Sequence, residues 1–267
     1  MEFIYALAPI EDMTNESFRL LAYRHGADLT FTEMTMFEAL AKNNKSSLSR
    51  IRIIEGVPTV LQLIGLSEYY LKKFLSRFTP EPGFLGFNLN LGCPFPGVVR
   101  HGMGCAMVKR VTKVRKLTRI IRKHGYRVSL KLRLGANQYE KEKKVYLNTI
   151  RGVPADYYIV HARHGGERYN KKADWAVFKE CCSTGKPIIA NGDIKTKQDV
   201  ELLKSYGIAG VMIGRAAIAN PAIFDELKGQ PAVSIAQLRK EYLEIAKQDS
   251  TIRYSKNILK HMRENKR

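Results

Sequence analysis

The segment from Asn88 to Pro94 combines residue types that can do chemistry, because it ends an apolar run with an asparagine and a cysteine. A free thiol has a pKa of about 8.5, so near neutral pH it is mostly protonated and can donate a proton. The proline would stiffen the loop and the glycines downstream would let it move. We therefore predict that Cys93 is a general acid beside an active site. The other cysteines, Cys105, Cys181 and Cys182, have the pattern of ordinary packed residues.

Two further apolar runs end in basic or titratable residues. Lys131 and Arg133 lie in and at the end of one run, and His161 and Arg163 follow the next. Barrel strands are covered by helices on the outside, so a lysine inside such a run is expected to point inward. We predict that Lys131 and His161 face a bound anion or an electron-rich cofactor ring.

The last two apolar runs end in glycine-containing turns, Asn191-Gly192-Asp193 and Gly214-Arg215. Backbone N–H groups at such turns can hold a phosphate, and in barrels of alternating strands and helices the phosphate site lies after the last two strands. Arg215 would add a positive charge. The pair of turns predicts a site for a phosphate monoester.

Eight short apolar runs, each too short for a helix, alternate with amphipathic stretches. The predicted strands are Ile4–Pro9, Leu29–Met34, Thr59–Ile64, Phe84–Leu91, Val128–Leu134, Tyr157–Val160, Pro187–Ala190 and Gly210–Ile213. The predicted helices are Glu16–His25, Glu68–Phe78, Val111–His124, Glu140–Ile150, Asp174–Cys182 and Lys197–Tyr206. This rhythm favours an α/β fold, a closed (β/α)₈ TIM barrel, whose active site forms at the carboxyl ends of its strands. A doubly wound open sheet is the alternative, and the missing G-x-G-x-x-G fingerprint after the first run weakens it.

After Pro231 the alternation stops. Val233–Lys247 and Tyr254–Glu264 are predicted to form two short helices. We therefore divide the chain into a catalytic barrel over residues 1–230 and a short C-terminal helical extension over residues 231–267.

The composition points to a polyanionic partner. The chain has 267 residues with 45 Lys and Arg against 25 Asp and Glu, a formal net charge of +20. Hydrophobic residues make up 45%, which excludes a disordered basic tail. Nucleic acid is the first expected partner and a membrane surface the second. The stretch from Arg100 to Lys144 holds fifteen of the cations and only two acids, Glu140 and Glu142, so it predicts a phosphate-tracking surface.

The four cysteines include no C-x-x-C pair for zinc, and adjacent Cys181 and Cys182 cannot form an ordinary disulfide. The first residues lack the basic region of a signal peptide, and no run approaches the length of a membrane span. We expect a cytoplasmic monomer with no metal and no membrane partner.

Taken together, these motifs resemble the flavin-dependent tRNA-dihydrouridine synthases (Dus) over residues 4 to 228. The matching segments are Ala8–Thr14 with Phe18-Arg19, Thr32–Met34, Gln62–Gly65, Asn88–Pro94, Gly102–Ala106, Lys131–Arg133, His161–Arg163, Ala173–Trp175, Asn191–Asp193 and Gly214–Ala216. Asn-x-Asn-x-Gly-Cys-Pro together with Ala-Asp-Trp is the specific combination. The resemblance implies an oxidoreductase that binds FMN, reduces the 5,6 double bond of a uridine in tRNA, and takes electrons from NADPH or NADH.

The resemblance also implies roles for individual residues. Cys93 would be the general acid, and Asn90, Arg163 and Arg168 would contact the substrate. The predicted cofactor-binding residues are Pro9, Ile10 and Glu11 along the flavin, Gln62, Lys131 and His161 at its ring or ribityl chain, and Asn191, Gly192, Asp193, Gly214 and Arg215 at its phosphate. The base would have to leave its stack to reach the flavin.

Three features depart from the family pattern. Ile10 replaces the usual methionine beside the flavin, the stretch from His164 to Arg168 differs from the family version, and the C-terminal region is shorter. Two other functions remain open: an FMN-dependent barrel oxidoreductase acting on a small molecule such as dihydroorotate, and a non-catalytic RNA-binding barrel. The first has no need of a charge of +20, and the Asn90, Cys93, Lys131 and His161 set argues against the second.

Overall fold

The sheet consists of parallel strands whose order follows the chain. A computed structural model describes residues 2–247 and 255–263. Its strands are β1 (Ile4–Leu7), β2 (Thr30–Phe31), β3 (Thr35–Met36), β4 (Thr59–Ile64), β5 (Phe84–Leu91), β6 (Val128–Arg133), β7 (Tyr158–His161), β8 (Ile188–Asn191) and β9 (Gly210–Ile213). They pair in the order β1-β9-β8-β7-β6-β5-β4-β2, with β3 also on β4.

The sheet curls into a nearly closed barrel with eight strand positions. β1 pairs with β9 over four residues, and a parallel bridge between Ala6 and Leu29 links β1 to the second position. Helices lie between successive strands around the outside. The predicted (β/α)₈ barrel is therefore confirmed, and the open sheet is not observed.

The second position differs from the prediction. Instead of one strand over Leu29–Met34, two two-residue strands, β2 and β3, each pair with β4. Between them the hydroxyl of Thr32 accepts the backbone N–H of Gln62 at 3.0 Å. A side-chain oxygen replaces a backbone carbonyl there, so the regular ladder is interrupted.

The helices begin mostly where the sequence predicts them. They are α1 (Glu16–Arg24), α2 (Phe37–Ala41), α3 (Lys45–Arg50), α4 (Glu68–Leu75), α5 (Pro96–Arg100), α6 (Val111–Lys123), α7 (Gln138–Glu142), α8 (Val145–Gly152), α9 (Val177–Cys182), α10 (Lys197–Lys204), α11 (Arg215–Ala219), α12 (Ile223–Leu227), α13 (Ile235–Ala246) and α14 (Ser255–His261). The predicted helix Glu140–Ile150 is two helices, because Lys144 has a left-handed φ of 51° between α7 and α8.

Helix α6 shows how the pattern produces the packing. Val114, Leu117 and Ile121 are fully buried against the barrel, whereas Lys116 and Arg119 on the other face are exposed. Burying each such apolar side chain contributes about 1.5–3 kcal/mol. The helix therefore docks by one stripe and presents its cations to solvent.

A smaller core fills the inside of the barrel. Its members are Ala6, Ala8, Leu29, Phe31, Val60, Ile159, Ile189 and Met212. These side chains are apolar and nearly all fully buried, so they close the barrel interior. The polar side chains of the site lie further along the strands, towards their carboxyl ends.

The C-terminal helices pack directly on the barrel. Tyr242 of α13 is fully buried, and its hydroxyl receives a hydrogen bond from Asn15 at 3.2 Å. Ile258 and Met262 are buried in the same core as the barrel helices, and the N–H of Arg263 donates to Ala219 at 3.1 Å. The division after residue 230 remains a prediction. Both predicted helices are present as α13 and α14, and Tyr254 and Glu264 fall outside the described residues.

Within residues 2–247 and 255–263, no helix is both long enough and apolar enough to cross a membrane.

Candidate active site

A cleft of about 1140 Å³ opens at the carboxyl ends of β1 and β6–β9. Nine of the predicted cofactor-binding residues line it: Pro9, Ile10, Lys131, His161, Asn191, Gly192, Asp193, Gly214 and Arg215. The ends of parallel strands meet at one mouth of the barrel, and this brings together residues as far apart in sequence as Pro9 and Arg215. Within the described residues, the cleft is the place where the predicted ring and phosphate contacts meet.

The turns after β8 and β9 form one end of the cleft. Gly192 has a φ of 120°, and a Cβ there would approach both Ala173 and the ring of His161 to 3.1 Å. Only glycine fits this turn without strain. A Cβ at Gly214 would lie 3.3 Å from Ile10 and 3.4 Å from Ala8, so this turn also has little room for a side chain.

Asp193 ties the two turns to the neighbouring strand. It has a left-handed φ of 59° and pairs with Arg215 at 2.8 Å and with Arg163. It also accepts the backbone N–H of Ala173 at 2.9 Å. These hydrogen bonds hold the pKa of Asp193 below its ordinary value against the opposing effect of burial. Two arginines around one carboxylate leave this end of the cleft with a net positive charge.

Arg163, predicted to contact the substrate, is fully buried. Its guanidinium donates to Asp193 and to the carbonyl of Lys171, and it lies 3.3 Å from His161 Nε2. Through Asp193 it contacts the turn that follows β8. Arg168, the other predicted substrate contact, is exposed on the loop that follows. Both roles remain predictions.

Lys131 lies in the wall of the cleft. Its Nζ donates to Asn191 Oδ1 at 3.1 Å. Burial, reinforced by the nearby charge of Arg133, lowers the pKa of Lys131 from 10.5 to about 8. The ammonium is thus held where an anionic ligand would be strongly favoured.

His161 is neutral in this setting. Burial is the largest cause, and four surrounding cations add to it, so the pKa of His161 lies well below its ordinary value. A guanidinium can only donate, so the Nε2 facing Arg163 accepts and the ring proton is on Nδ1. The ring can therefore offer a neutral donor.

The Cys93 loop follows β5, the strand next to that of Lys131, and neither Cys93 nor Asn90 is among the residues that line the cleft. Asn90 is the cross-strand partner of Lys131, and its Oδ1 accepts the backbone N–H groups of Gly92 at 3.0 Å and Cys93 at 2.9 Å. The carbonyl of Cys93 in turn accepts the N–H of Cys105 at 3.0 Å. Cys93 is a free, half-buried thiol, as a proton donor at a mouth should be.

Gly104 makes the return of this loop possible. Its φ is 60°, and a Cβ there would lie 2.2 Å from the carbonyl oxygen of Cys93. Any other residue would push the loop away from β5.

Gln62 and Glu11 are placed differently from the other predicted cofactor contacts. Gln62 is buried, and its amide is hydrogen-bonded to Asn88 and Asn90. Glu11 is exposed, forms an ion pair with Arg50, and is not among the residues lining the cleft. Their predicted flavin contacts remain predictions.

Arg50 is the centre of an acidic group beside the mouth. Glu11, Asp12 and Glu33 all lie within 4.0 Å of its guanidinium. Burial, with repulsion from Glu11, raises the pKa of Glu33 to about 7. The arginine supplies the countercharge for this group, and the expectation of no metal remains a prediction.

Several residues that line the cleft were given no cofactor role from the sequence, among them Tyr169, Trp175 and Arg263. The guanidinium carbon of Arg215 lies 3.8 Å from the centroid of the Tyr169 ring, and the Tyr169 and His161 rings are stacked with their centroids 6.4 Å apart. Trp175 donates from its indole to the carbonyl of Gly192 at 2.8 Å, and Arg263 reaches the cleft from the C-terminal extension. The Ala-Asp-Trp motif could have indicated Trp175, whereas nothing local marks the other two.

The basic stretch is partly neutralised in the folded chain. Five of its cations form ion pairs: Lys109–Glu140, Lys113–Glu68, Arg122–Asp156, Lys141–Asp174 and Lys144–Glu180. Arg100, Arg110 and Lys116 are exposed near the Cys93 loop and the start of α6. The positive charge available to bind RNA next to the mouth is therefore smaller than the fifteen basic residues of this stretch suggest.

Fold and site together define an enzyme of the (β/α)₈-barrel class, with its cleft at the strand ends and a positively charged end at β8 and β9. Two solved structures share the fold. A FabK (M276A) mutant from Thermotoga maritima has a TM-score of 0.51 at 14% identity, covering 83% of this chain and 64% of that one. A nitroalkane oxidase from Streptomyces ansochromogenes has a TM-score of 0.50 at 13% identity, covering 81% and 66%.

The chain belongs to the dihydrouridine synthase (Dus) family, whose family model matches residues 6–267. A probable tRNA-dihydrouridine synthase from Helicobacter pylori is 31% identical over 248 residues, covering 88% of this chain and 73% of that protein. A human protein named tRNA-dihydrouridine(47) synthase [NAD(P)(+)]-like is 32% identical over 84% of this chain and 35% of its own length. The predicted family is therefore confirmed, and with it a flavin-dependent oxidoreductase.

Proposed function

We propose that this protein is an FMN-dependent tRNA-dihydrouridine synthase that reduces the 5,6 double bond of a uridine in tRNA and takes electrons from NADPH or NADH. The observation that carries the proposal is the free cysteine Cys93, whose backbone N–H is held by Asn90, the residue across the β5–β6 ladder from Lys131. The names of the relatives support the same substrate.

The residues of the cleft fit FMN. The phosphate would lie on the turns at Gly192 and Gly214, where a Cβ is sterically excluded or tight, with Arg215 supplying charge. Arg163 offsets the carboxylate of Asp193 from below, so the phosphate does not meet an uncompensated negative charge. Ile10 would contact the ring with apolar surface in the place of the family's methionine.

Lys131 and His161 would contact the polar edge of the flavin or its ribityl chain. Burial lowers the pKa of Lys131, so a negative charge on the ring would raise this pKa again and would be stabilised by the ammonium. FMN, when bound, supplies the hydride that is transferred to C6 of the uracil.

Cys93 and Asn90 would act on the base. Hydride addition at C6 leaves enolate character at C4 and C5, and the thiol proton of Cys93 would pass to C5. Asn90 Nδ2 has two N–H groups, of which one donates to Gln62. The second can donate to the uracil.

Exposed cations next to the mouth would hold the RNA. Arg100 and Arg110 flank the Cys93 loop, and Lys116 lies one turn into α6. Phosphate contacts there would position the tRNA without reading its sequence, while the target base leaves its stack to enter the cleft. We also propose a cytoplasmic, metal-independent monomer, a location supported by the four free cysteines.

The direct test is reduction of tRNA by the purified protein. We expect a yellow protein that retains FMN and converts uridine to dihydrouridine with NADPH, measured by mass spectrometry of tRNA from a deletion strain. Cys93→Ala should keep FMN and slow dihydrouridine formation about 10²-fold or more. Cys182→Ala, another half-buried free cysteine, is the matched control.

A protein that cannot take up FMN would refute the proposal. If the protein binds RNA but forms no dihydrouridine, it is an RNA-binding protein. If it reduces a free metabolite such as orotate, the oxidised form of dihydroorotate, in the absence of RNA, it is a small-molecule enzyme. Unchanged turnover of Cys93→Ala would remove Cys93 from the acid role.

A further inference from the structure

A chain of side-chain hydrogen bonds runs across the barrel to the Cys93 loop. Asn88 Nδ2 on β5 donates to Ser129 Oγ on β6 at 2.8 Å. Gln62 Nε2 on β4 donates to Asn88 Oδ1 at 2.8 Å, and Asn90 Nδ2 donates to Gln62 Oε1 at 2.9 Å. Three strands are thus joined by amides that end at the residue holding the cysteine loop.

The direction of this chain is fixed at its loop end. The backbone N–H groups of Gly92 and Cys93 can only donate, so the atom of Asn90 that receives both is its oxygen. The Asn90 nitrogen must then donate to the oxygen of Gln62. The Gln62 nitrogen must in turn donate to the oxygen of Asn88, whose nitrogen meets the Ser129 hydroxyl.

Burial makes each link costly to break. Asn88 is fully buried, and Gln62 and Ser129 are each 1% exposed. A buried amide that loses its partner has no water to replace it, so it reorients or remains unsatisfied. The buried members of the interior core are apolar, and the polar group beside it is the hydroxyl of Tyr157, which interacts with Ser129 at the far end of the chain.

We propose that Asn88 is a positioning residue for Cys93, acting through the orientation of Gln62 and Asn90. The expected effect of Asn88 on catalysis rests on the proposed function. The expected effect of Asn88 on the position of the Cys93 loop is independent of that function. Asn88 holds the Gln62 amide in the orientation that the loop end requires, with the Gln62 oxygen towards Asn90. Asn90 can then keep its oxygen on the two backbone N–H groups and leave its second N–H for the substrate.

The test uses near-isosteric variants of the flavin-loaded protein. Asn88→Leu keeps the volume and removes both hydrogen bonds. Asn88→Asp preserves the pattern in its neutral form, which burial favours, because its carbonyl oxygen accepts from Gln62 Nε2 and its O–H donates to Ser129 Oγ. Ser129→Ala removes only the far end and provides a second, milder variant. Thr59→Val is the control, since Thr59 is a buried, hydrogen-bonded residue of the same strand as Gln62 but outside the chain.

The first measurement is the alkylation rate of Cys93 by iodoacetamide across pH, assigned by peptide mass spectrometry to separate it from Cys182. Asn88→Leu should raise this rate at least about threefold, the effect of weakening one net hydrogen bond in the loop. Ser129→Ala should shift it less in the same direction. Asn88→Asp and Thr59→Val should match the unmodified protein.

The second measurement is turnover of tRNA at saturating substrate. Asn88→Leu should lower kcat about ten- to hundredfold with little change in KM or FMN content, because a misplaced acid affects chemistry rather than binding. Asn88→Asp should recover most of the loss.

An unchanged alkylation rate in both Asn88→Leu and Ser129→Ala would overturn the proposal, as would an equal change in Thr59→Val. If the unmodified protein forms no dihydrouridine, the proposed function fails, and the alkylation rates still decide whether Asn88 positions Cys93.

Discussion

Because the Lys131 ammonium is buried, we predict that this residue destabilises the folded state of the cofactor-free protein. Its pKa is lowered from 10.5 to about 8, mainly by burial. Each pKa unit corresponds to about 1.4 kcal/mol, so keeping the charged form at pH 7 costs about 3 kcal/mol. Lys131→Met retains the shape of the side chain and removes the charge.

The substitution also has a cost. It leaves Asn191 Oδ1 without its donor, which is worth about 1–2 kcal/mol for a buried acceptor. The expected net result is a cofactor-free variant about 1–2 kcal/mol more stable than the unmodified protein, a rise in Tm of roughly 4 °C. FMN affinity should fall about ten- to hundredfold, because a charged hydrogen bond to the ligand is lost.

The stability difference should depend on pH with a defined sign. The folded pKa lies below the unfolded one, so the unfolded chain binds more protons between pH 8 and 10.5. The unmodified protein therefore gains stability relative to Lys131→Met as the pH rises through that range. The advantage of the variant should disappear by about pH 10.

Thermal unfolding of both proteins, with and without FMN at pH 7 and pH 10, measures all of these effects. Lys116→Met is the control, because this lysine is exposed and its removal should change stability by less than about 0.5 kcal/mol. The reasoning fails if cofactor-free Lys131→Met is less stable than the unmodified protein at pH 7, or if the difference is the same at both pH values.

Three other results are expected. In Asp193→Asn the asparagine can adopt the left-handed turn, but fully buried Arg163 loses its carboxylate partner. The variant should therefore be about 2 kcal/mol less stable in urea unfolding and should bind FMN more weakly. Unchanged stability would contradict the role of this ion pair. Lys116→Glu should raise the KM for tRNA several-fold, whereas Lys123→Glu, the same change at the far end of α6, should not; equal effects would place the RNA elsewhere. Because the pKa of Glu33 is raised to about 7, the folded protein loses stability as the pH rises from 4.5 to 7. Glu33→Gln should therefore be up to about 3 kcal/mol more stable than the unmodified protein at pH 8 and about equally stable at pH 4. A stability difference that does not change with pH would refute this.

Periodicity and residue type were enough to predict the barrel and most of its cleft. Apolar runs such as Phe84–Leu91 define strands, and in a parallel barrel all strand ends meet at one mouth, so residues at those ends converge whatever lies between them. Lys131, His161 and the turns at Gly192 and Gly214 lie together for this reason. The strand alternation that placed Asn90 at the site also places Asn88 on the same face, a signal that the prediction did not use.

The sequence by itself determined where the strands end and which chemistry can be gathered there, because both depend on local pattern. Tertiary structure alone decided what each side chain contacts. Arg163 pairs with Asp193 across thirty residues, and Gln62 pairs with Asn88 across twenty-six. Partners so far apart are set by strand order and register, and a register shift of one residue would turn each side chain to the other face. The same long-range contacts pair much of the basic stretch with acids, so the fold decides which cations remain exposed beside the mouth.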